Sequence, residues 1–174
     1  VGPLVASSTR GLASSSLRQG NDAVMDRPGI LLRPATSSDV PNIAELIAPF
    51  VIERKLLPRG PAELLELTVN GFVAESDGVV VGFAAIDVYS RKLAELVCLA
   101  VRADRQRAGV GKRLVRRCIL RARELGVLEL LAISASDEFL KDCGFDYTLP
   151  EQKRALFCQP LAPRADESSA GEDD

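Results

Sequence analysis

Two places in this sequence have residue types and spacing suited to chemistry. One is a carboxylate set in an apolar run, Glu95 in Ala94-Glu95-Leu96-Val97-Cys98-Leu99-Ala100-Val101. The other follows at once: Gln106-Arg107-Ala108-Gly109-Val110-Gly111-Lys112, a glycine-bearing turn that runs into an amphipathic segment. A helix starting there exposes N–H groups without intrahelical acceptors and the positive end of its dipole, which suits an anion such as a pyrophosphate. Gly109 and Gly111 would let the backbone approach that anion closely, although two glycines at a helix start equally suit tight helix packing. The turn is neither a nucleoside-triphosphate loop, which ends in Gly-Lys-Ser/Thr, nor a dinucleotide fingerprint, which needs a third glycine. Lys112 and Arg113 in the first helical turn, with Arg105 and Arg107 before it, can add charge at the anion. Arg117, Arg121 and Arg123 read as the solvated face of the same helix.

What is missing narrows the chemistry further. The 174 residues contain no histidine, which excludes Ser-His-Asp and Cys-His nucleophilic systems, imidazole bases and histidine metal ligands. Acid–base work is left to carboxylates, tyrosine, lysine and thiols, and no metal is expected. Cys98, Cys118, Cys143 and Cys158 form no CxxC pair and read as buried free thiols in a reducing cytoplasm. With 22 basic against 24 acidic residues the net charge is −2, so no general field gathers nucleic acid or an anionic membrane. No apolar run approaches the ~18 residues of a membrane span. Neither nucleic acid nor membrane is expected as a partner.

The elements that must position these groups follow from periodicity. Ile30 to Pro34 reads as a strand, and Thr36-Ser37-Ser38-Asp39 supplies N-cap residues for a helix whose apolar face is Ile43, Leu46, Ile47 and Phe50. Pro58, Gly60 and Pro61 precede a second short helix, Ala62 to Leu67. Phe72 to Glu75 and Val79 to Val88 flank Ser76-Asp77-Gly78 as a hairpin, and Leu93 to Val101 is a further strand. Gly109 to Leu125 is a helix with apolar positions Val110, Leu114, Cys118, Ala122 and Leu125, closed by Gly126. Val127 to Ile133 reads as a buried strand, Asp137 to Cys143 as a short helix, and Phe145 to Tyr147 and Arg154 to Leu161 as the last two strands. The order is that of an α/β protein with a mixed sheet. One folded domain is expected over residues 29–161, between a disordered or weakly targeting leader over 1–28 and a disordered acidic tail over 162–174. The leader holds the chain's single methionine, Met25, near which folded structure is expected to begin.

Gln106-x-x-Gly109-x-Gly111 after a strand ending at Val101 resembles the acetyl-CoA pyrophosphate loop of the GNAT superfamily: Arg or Gln, two residues, Gly, one residue, Gly or Ala. Three stretches are similar to one branch of it, the acetyltransferase domain of N-acetylglutamate synthase. They are Ala94 to Val101 with its Glu, Phe139 to Phe145 ending in Gly-Phe, and Leu149 to Phe157, which is similar to that branch's Leu-Pro-Glu-Ser-Lys-Lys-Gln-Leu-Tyr. The resemblance covers residues 30–160, and the amino-acid kinase domain of the bifunctional members has no counterpart in this sequence.

The resemblance implies the GNAT fold, an α/β (α+β) architecture with a central mixed, mostly antiparallel sheet of six to seven strands and about four helices. It implies acetyl-CoA as co-substrate. The backbone of Leu99, Ala100 and Val101 would pair with the pantetheine arm as an added strand would. Amides of Gln106, Arg107, Ala108, Gly109, Val110 and Gly111 would hold the pyrophosphate, with charge from Lys112. Glu95 would be the general base, its pKa raised by partial burial; a salt-bridged structural Glu is the alternative. The tyrosine that many members place four residues before the Gly of Gly-Phe is Leu140 here. The branch's hydroxyl after the next strand points to Ser134, or to Ser136, either of which equally serves as a helix cap. Arg59 matches the branch's basic loop near substrate, where a guanidinium suits an α-carboxylate; Arg54 or Lys55 could contribute, and a solvated loop is the alternative. Cys98 is placed on the substrate side with it. The branch's basic strand after Leu-Tyr reads Phe157-Cys158-Gln159-Pro160 here, without Arg.

The implied function is transfer of an acetyl group to the primary amine of a small amino acid or related amine, glutamate included, by direct attack in a ternary complex. Two other readings stay open: an acyl-CoA-binding sensor or interaction module without catalysis, and a protein N-acetyltransferase. A homodimer is compatible with each.

Overall fold

The computed structural model of the protein describes residues 24–25, 29–134 and 137–147. Six strands form one sheet whose spatial order follows the sequence: β1 (Val24–Met25), β2 (Leu31–Pro34), β3 (Gly71–Ser76), β4 (Val79–Val88), β5 (Leu93–Val101) and β6 (Glu129–Ala132). Pairing is antiparallel from β1 to β5 and parallel between β5 and β6. Parallel neighbours need a crossover, and helix α3 (Val110–Glu124) provides it. Helices α1 (Val40–Ile52) and α2 (Pro61–Thr68) join β2 to β3, and α4 (Asp137–Lys141) follows β6.

The central strands are apolar on both sides because both faces are covered. On one face Val110, Leu114, Val115, Cys118 and Ala122 of α3 pack against Ala84, Ile86, Leu96 and Val101. On the other, Ile43, Leu46 and Ile47 of α1 and Leu64 and Leu67 of α2 pack against Val73, Phe83, Ala85 and Val97. Burying each such aliphatic side chain contributes about 1.5–3 kcal/mol. β5 therefore lies between two cores, with one end at the β4–β5 turn and the other at the start of α3.

Several sequence expectations change in detail. Phe145 to Tyr147 forms no strand; the N–H of Phe145 donates to the Leu140 carbonyl at 3.1 Å, continuing the turn that closes α4, and its ring packs on the α3 core. The expected strand Arg154 to Leu161, Cys158, Ser136 and the tail over 162–174 lie outside the described residues. So does the leader over 1–28, apart from Val24–Met25, which pair with β2. Leu125 is 37% exposed, since α3 ends one residue earlier, and Val115 joins the buried face. Cys98 and Cys118 are buried free thiols, whereas Cys143 is half-buried. No helix among the described residues is long and apolar enough to cross a membrane.

The entry into α1 carries a charged contact with a measurable consequence. Both carboxylate oxygens of Asp39 accept hydrogen bonds from the Arg33 guanidinium at 2.8 Å, and the Arg33 Nε–H donates to Glu75 at 2.9 Å. Asp39 also accepts the Thr36 N–H at 2.8 Å and its hydroxyl at 2.9 Å. Arg33 is the main reason that the Asp39 carboxyl is held down to about 2, against burial, which opposes ionisation. A carboxyl depressed in the folded state adds stability that is complete above about pH 4 and is lost as pH falls through about 2, worth on the order of 2 kcal/mol. Asp39→Asn is therefore expected to lower the thermal midpoint by several degrees at pH 7 and by almost nothing near pH 2. Thermal unfolding of both proteins across that range checks it.

Candidate active site

Strand β5 presents two unlike edges. Along β4 its register shifts once: Phe83 faces Ala100, but Ala85 faces Val97. The extra residue makes a bulge, and Cys98 takes up the left-handed backbone, with φ of 53°. Such a φ costs a non-glycine residue about 1–2 kcal/mol, and it is held by burial of Val97, Cys98 and Ala100. Along β6 the ladder ends at Leu96 opposite Ala132. From Val97 to Val101 that edge has no strand partner among the described residues, so an extended molecule can add to it as another strand would.

On the face covered by α1 and α2, Glu95 stands opposite Asp87 of β4, and side chains directly opposite in an antiparallel pair share a face. Tyr89, in the β4–β5 turn, donates its hydroxyl hydrogen to Glu95 Oε2. The Glu95 carboxylate is the chief reason that the Tyr89 phenol is pushed up to about 12, so it remains a donor at neutral pH. Ser90 shapes the turn: its Oγ accepts the N–H groups of Lys92 at 3.1 Å and Leu93 at 3.3 Å.

Arg59 reaches the same place from the loop between α1 and α2. Its Nη1 lies 3.7 Å from Glu63 Oε1, while Glu63 Oε2 accepts the Gly60 N–H at 2.7 Å, so the residue that caps α2 also aims the arginine. The guanidinium adjoins the Cys98 thiol, which burial pushes up and Arg59 pulls partly back; the thiol is neutral at pH 7. The Arg59 Nε is buried without an acceptor among the described residues. Arg59 thus lies beside Cys98, and both Arg59 and Glu95 act on the Tyr89 phenol.

At the other end of β5 the chain turns into α3. The Gln106 side-chain amide donates to the Val101 carbonyl at 2.9 Å, tying the loop to the strand. Arg107 and Gly109 are both left-handed, with φ of 61° and 80°, and alternation of this kind turns successive N–H groups toward one side, making an anion-binding concavity. The first intrahelical bond runs from the Arg113 N–H to the Gly109 carbonyl at 3.2 Å, which leaves the amides of Val110, Gly111 and Lys112 without helical acceptors. The two glycines serve different ends. A Cβ at Gly109 would meet nothing within 4 Å, so its reason is backbone conformation. A Cβ at Gly111 would lie 3.3 Å from Phe139 Cζ, so its reason is close packing of α4. The Lys112 ammonium, expected to add charge at the loop, instead pairs with Asp142 at 2.8 Å.

The family model described as the acetyltransferase (GNAT) family matches residues 42–145. This chain belongs to the GNAT acetyltransferase family. Amino-acid acetyltransferases of Ralstonia nicotianae and Neisseria meningitidis serogroup A are similar to it, 38% identical over 134 residues and 36% over 132, with 72% of this chain covered each time. The chain spans only 29% and 30% of those relatives' lengths. A Mycobacterium tuberculosis protein solved in complex with CoA and NLQ is similar in structure, at 30% identity and a TM-score of 0.63 over 68% of this chain and 72% of that one. So is N-acetylglutamate synthase from Neisseria gonorrhoeae complexed with coenzyme A and N-acetyl-glutamate, at 32% identity and a TM-score of 0.62 over 67% of this chain and 28% of that one.

Within this GNAT domain Ser134 follows β6 and is exposed. Leu140 is buried among the α3 core residues. The remaining tyrosine in the sequence, Tyr147, is exposed; its hydroxyl donates to Asp137 at 2.5 Å and its ring lies 4.2 Å from the Lys141 ammonium. Tyr89 is the residue that sequence reasoning missed. The signal was available: Val88 pairs with Ala94 across the turn, so Tyr89 and Glu95 are diagonal neighbours on one face.

Proposed function

We propose that this GNAT domain transfers the acetyl group of acetyl-CoA to the primary amine of a small amino acid. The observation that carries the reading is the layout of β5: an edge at Val97–Val101 without a strand partner among the described residues leads at one end to the amides of the 106–111 loop and lies at the other beside Glu95, Cys98 and Arg59. One strand thereby joins a seat for a long anionic thioester to a place for a zwitterionic amine.

In this reading the backbone of Leu99, Ala100 and Val101 pairs with the pantetheine arm, and amides from Arg107 to Gly111 hold the pyrophosphate, while the Gln106 N–H donates to the Ala103 carbonyl at 3.3 Å. Arg59 binds the α-carboxylate of the acceptor. Glu95, held by Tyr89, takes a proton from the acceptor ammonium directly or through one water. The freed amine attacks the thioester carbonyl; the C–N bond forms, the C–S bond breaks, the acetylated nitrogen gives up its second proton and the departing thiolate takes one up, with Ser134 as the candidate relay that donates to the sulfur and is reprotonated from the nitrogen. With no histidine in the sequence and Cys98 neutral and buried, direct attack is favoured over an acyl-enzyme.

An assay of free thiol released from acetyl-CoA over a panel of amino acids tests the proposal. Turnover with at least one of them is expected. Tight CoA binding with no turnover on any amine would overturn it in favour of the binding-module reading, which the burial of Leu140 at the usual tyrosine position motivates.

A further inference from the structure

Two carboxylates meet across the β4–β5 ladder. Asp87 of β4 stands directly opposite Glu95 of β5 in the antiparallel register. Two residues along, Ala85 stands opposite Val97, and both belong to the core covered by α1 and α2. Side chains alternate along a strand, so Asp87 and Glu95 project from that same face. Both are half-buried. Side chains directly opposite have Cβ atoms about 4.5–5.5 Å apart, and like charges so placed are destabilising, whereas an opposite-charge pair would stabilise the sheet.

The surroundings show where this pair faces. The Tyr89 hydroxyl donates to Glu95, and the phenol, raised chiefly by Glu95, is raised further by the charge of Asp87 and pulled back by Arg59. Asp87, Glu95 and Arg59 therefore surround one tyrosine, which is 55% exposed, so the pair adjoins solvent. Arg59 in turn adjoins the Cys98 thiol at the bulge of β5. Tyr89 satisfies a Glu95 oxygen but brings no charge to offset the repulsion. A cation entering between the two carboxylates relieves that repulsion and donates charge-assisted hydrogen bonds to both. The proposed reaction supplies one, because an amino acid arrives with its nitrogen as the ammonium and loses a proton only before attack.

We infer that Asp87 is a substrate-binding residue of this domain, which together with Glu95 forms a two-carboxylate clamp for the acceptor ammonium. The roles divide: Glu95 takes the proton, and Asp87 binds the charged nitrogen and sets acceptor affinity. The inference rests on the proposed acetyl transfer and adds to it a residue that sequence reasoning placed only within a strand.

Asp87→Asn keeps the shape of the side chain and removes its charge. With the amino acid turned over fastest in the panel, at saturating acetyl-CoA, KM for that acceptor is expected to rise about tenfold, with kcat within about threefold of the parent. The N-acetylated product of the same amino acid carries no ammonium, so its inhibition constant is expected to change by less than about twofold. Without ligand the variant is expected to melt no lower than the parent, since a like-charge contact is gone. Asp87→Glu, which restores the charge on a longer arm, is expected to recover part of the lost affinity. An unchanged acceptor KM in Asp87→Asn, an equal loss for acceptor and N-acetylated product, a variant that unfolds or melts several degrees lower, or no recovery in Asp87→Glu overturns this inference and leaves acetyl transfer standing. A parent protein that turns over no amino acid overturns the proposed function and this inference with it.

Discussion

Glu95→Gln is expected to lower kcat about 10²–10³-fold at neutral pH, with acetyl-CoA affinity changed by less than about twofold. The substitution keeps shape and length, and the new amide oxygen can still accept the Tyr89 hydroxyl. It cannot take a proton from an ammonium. The groups proposed to hold acetyl-CoA, the β5 edge from Val97 and the 106–111 loop, lie beyond the residue and do not depend on its charge. A loss in kcat with CoA binding intact therefore isolates proton transfer, whereas unchanged turnover would remove Glu95 from the mechanism. Tyr89→Phe makes the contrasting case. It leaves the carboxylate in place but releases it from its donor, and a loss of about tenfold or less in kcat is expected, with the acceptor KM nearly unchanged. Steady-state kinetics on the two variants, paired with calorimetric titration of CoA, separates the residue that moves the proton from the one that holds it.

The parts of this site that were legible in the sequence are those set by local pattern. The apolar spacing of Val110, Leu114, Cys118 and Ala122 marks α3, the Asp77-Gly78 turn marks the β3–β4 hairpin, and the strand–turn–helix passage around Gly109 marks the loop proposed as an anion seat. Other features depend on contacts between distant segments. The bulge at Cys98 is hidden because Leu96 to Val101 is apolar throughout, so an inserted residue leaves no break in alternation. The aim of Arg59 depends on Glu63, whose second oxygen caps α2. Lys112 turns to Asp142 because α4 docks beside the start of α3, where Phe139 approaches Gly111. Phe145 to Tyr147 has strand composition, yet Gly144 with φ of 97° bends the chain before it can extend. In each case the local sequence permitted several outcomes and tertiary packing chose among them.

Gly109→Val is expected to weaken acetyl-CoA binding about 100-fold or more while leaving the domain folded. At φ of 80° a β-branched side chain is strongly disfavoured, by more than the roughly 1–2 kcal/mol of an ordinary residue. Relaxation to negative φ would turn the N–H groups at the loop–helix junction away from their common side. Hydrogen bonds from amides to a charged phosphate contribute about 1.5–3 kcal/mol each, so losing two of them amounts to at least two factors of ten in affinity. The added side chain meets no protein atom near its Cβ, which leaves α3 and its packing on β4 and β5 intact. Gly111→Ala tests the neighbouring glycine on different grounds. Its Cβ would press on the Phe139 ring at 3.3 Å, a contact the ring can relieve by a small shift, so a loss below about tenfold is expected. Calorimetric titration of acetyl-CoA into both variants, with circular dichroism to verify folding, measures the difference. If the folded Gly109→Val protein bound acetyl-CoA as tightly as the parent, the backbone amides of this loop would not be the phosphate seat.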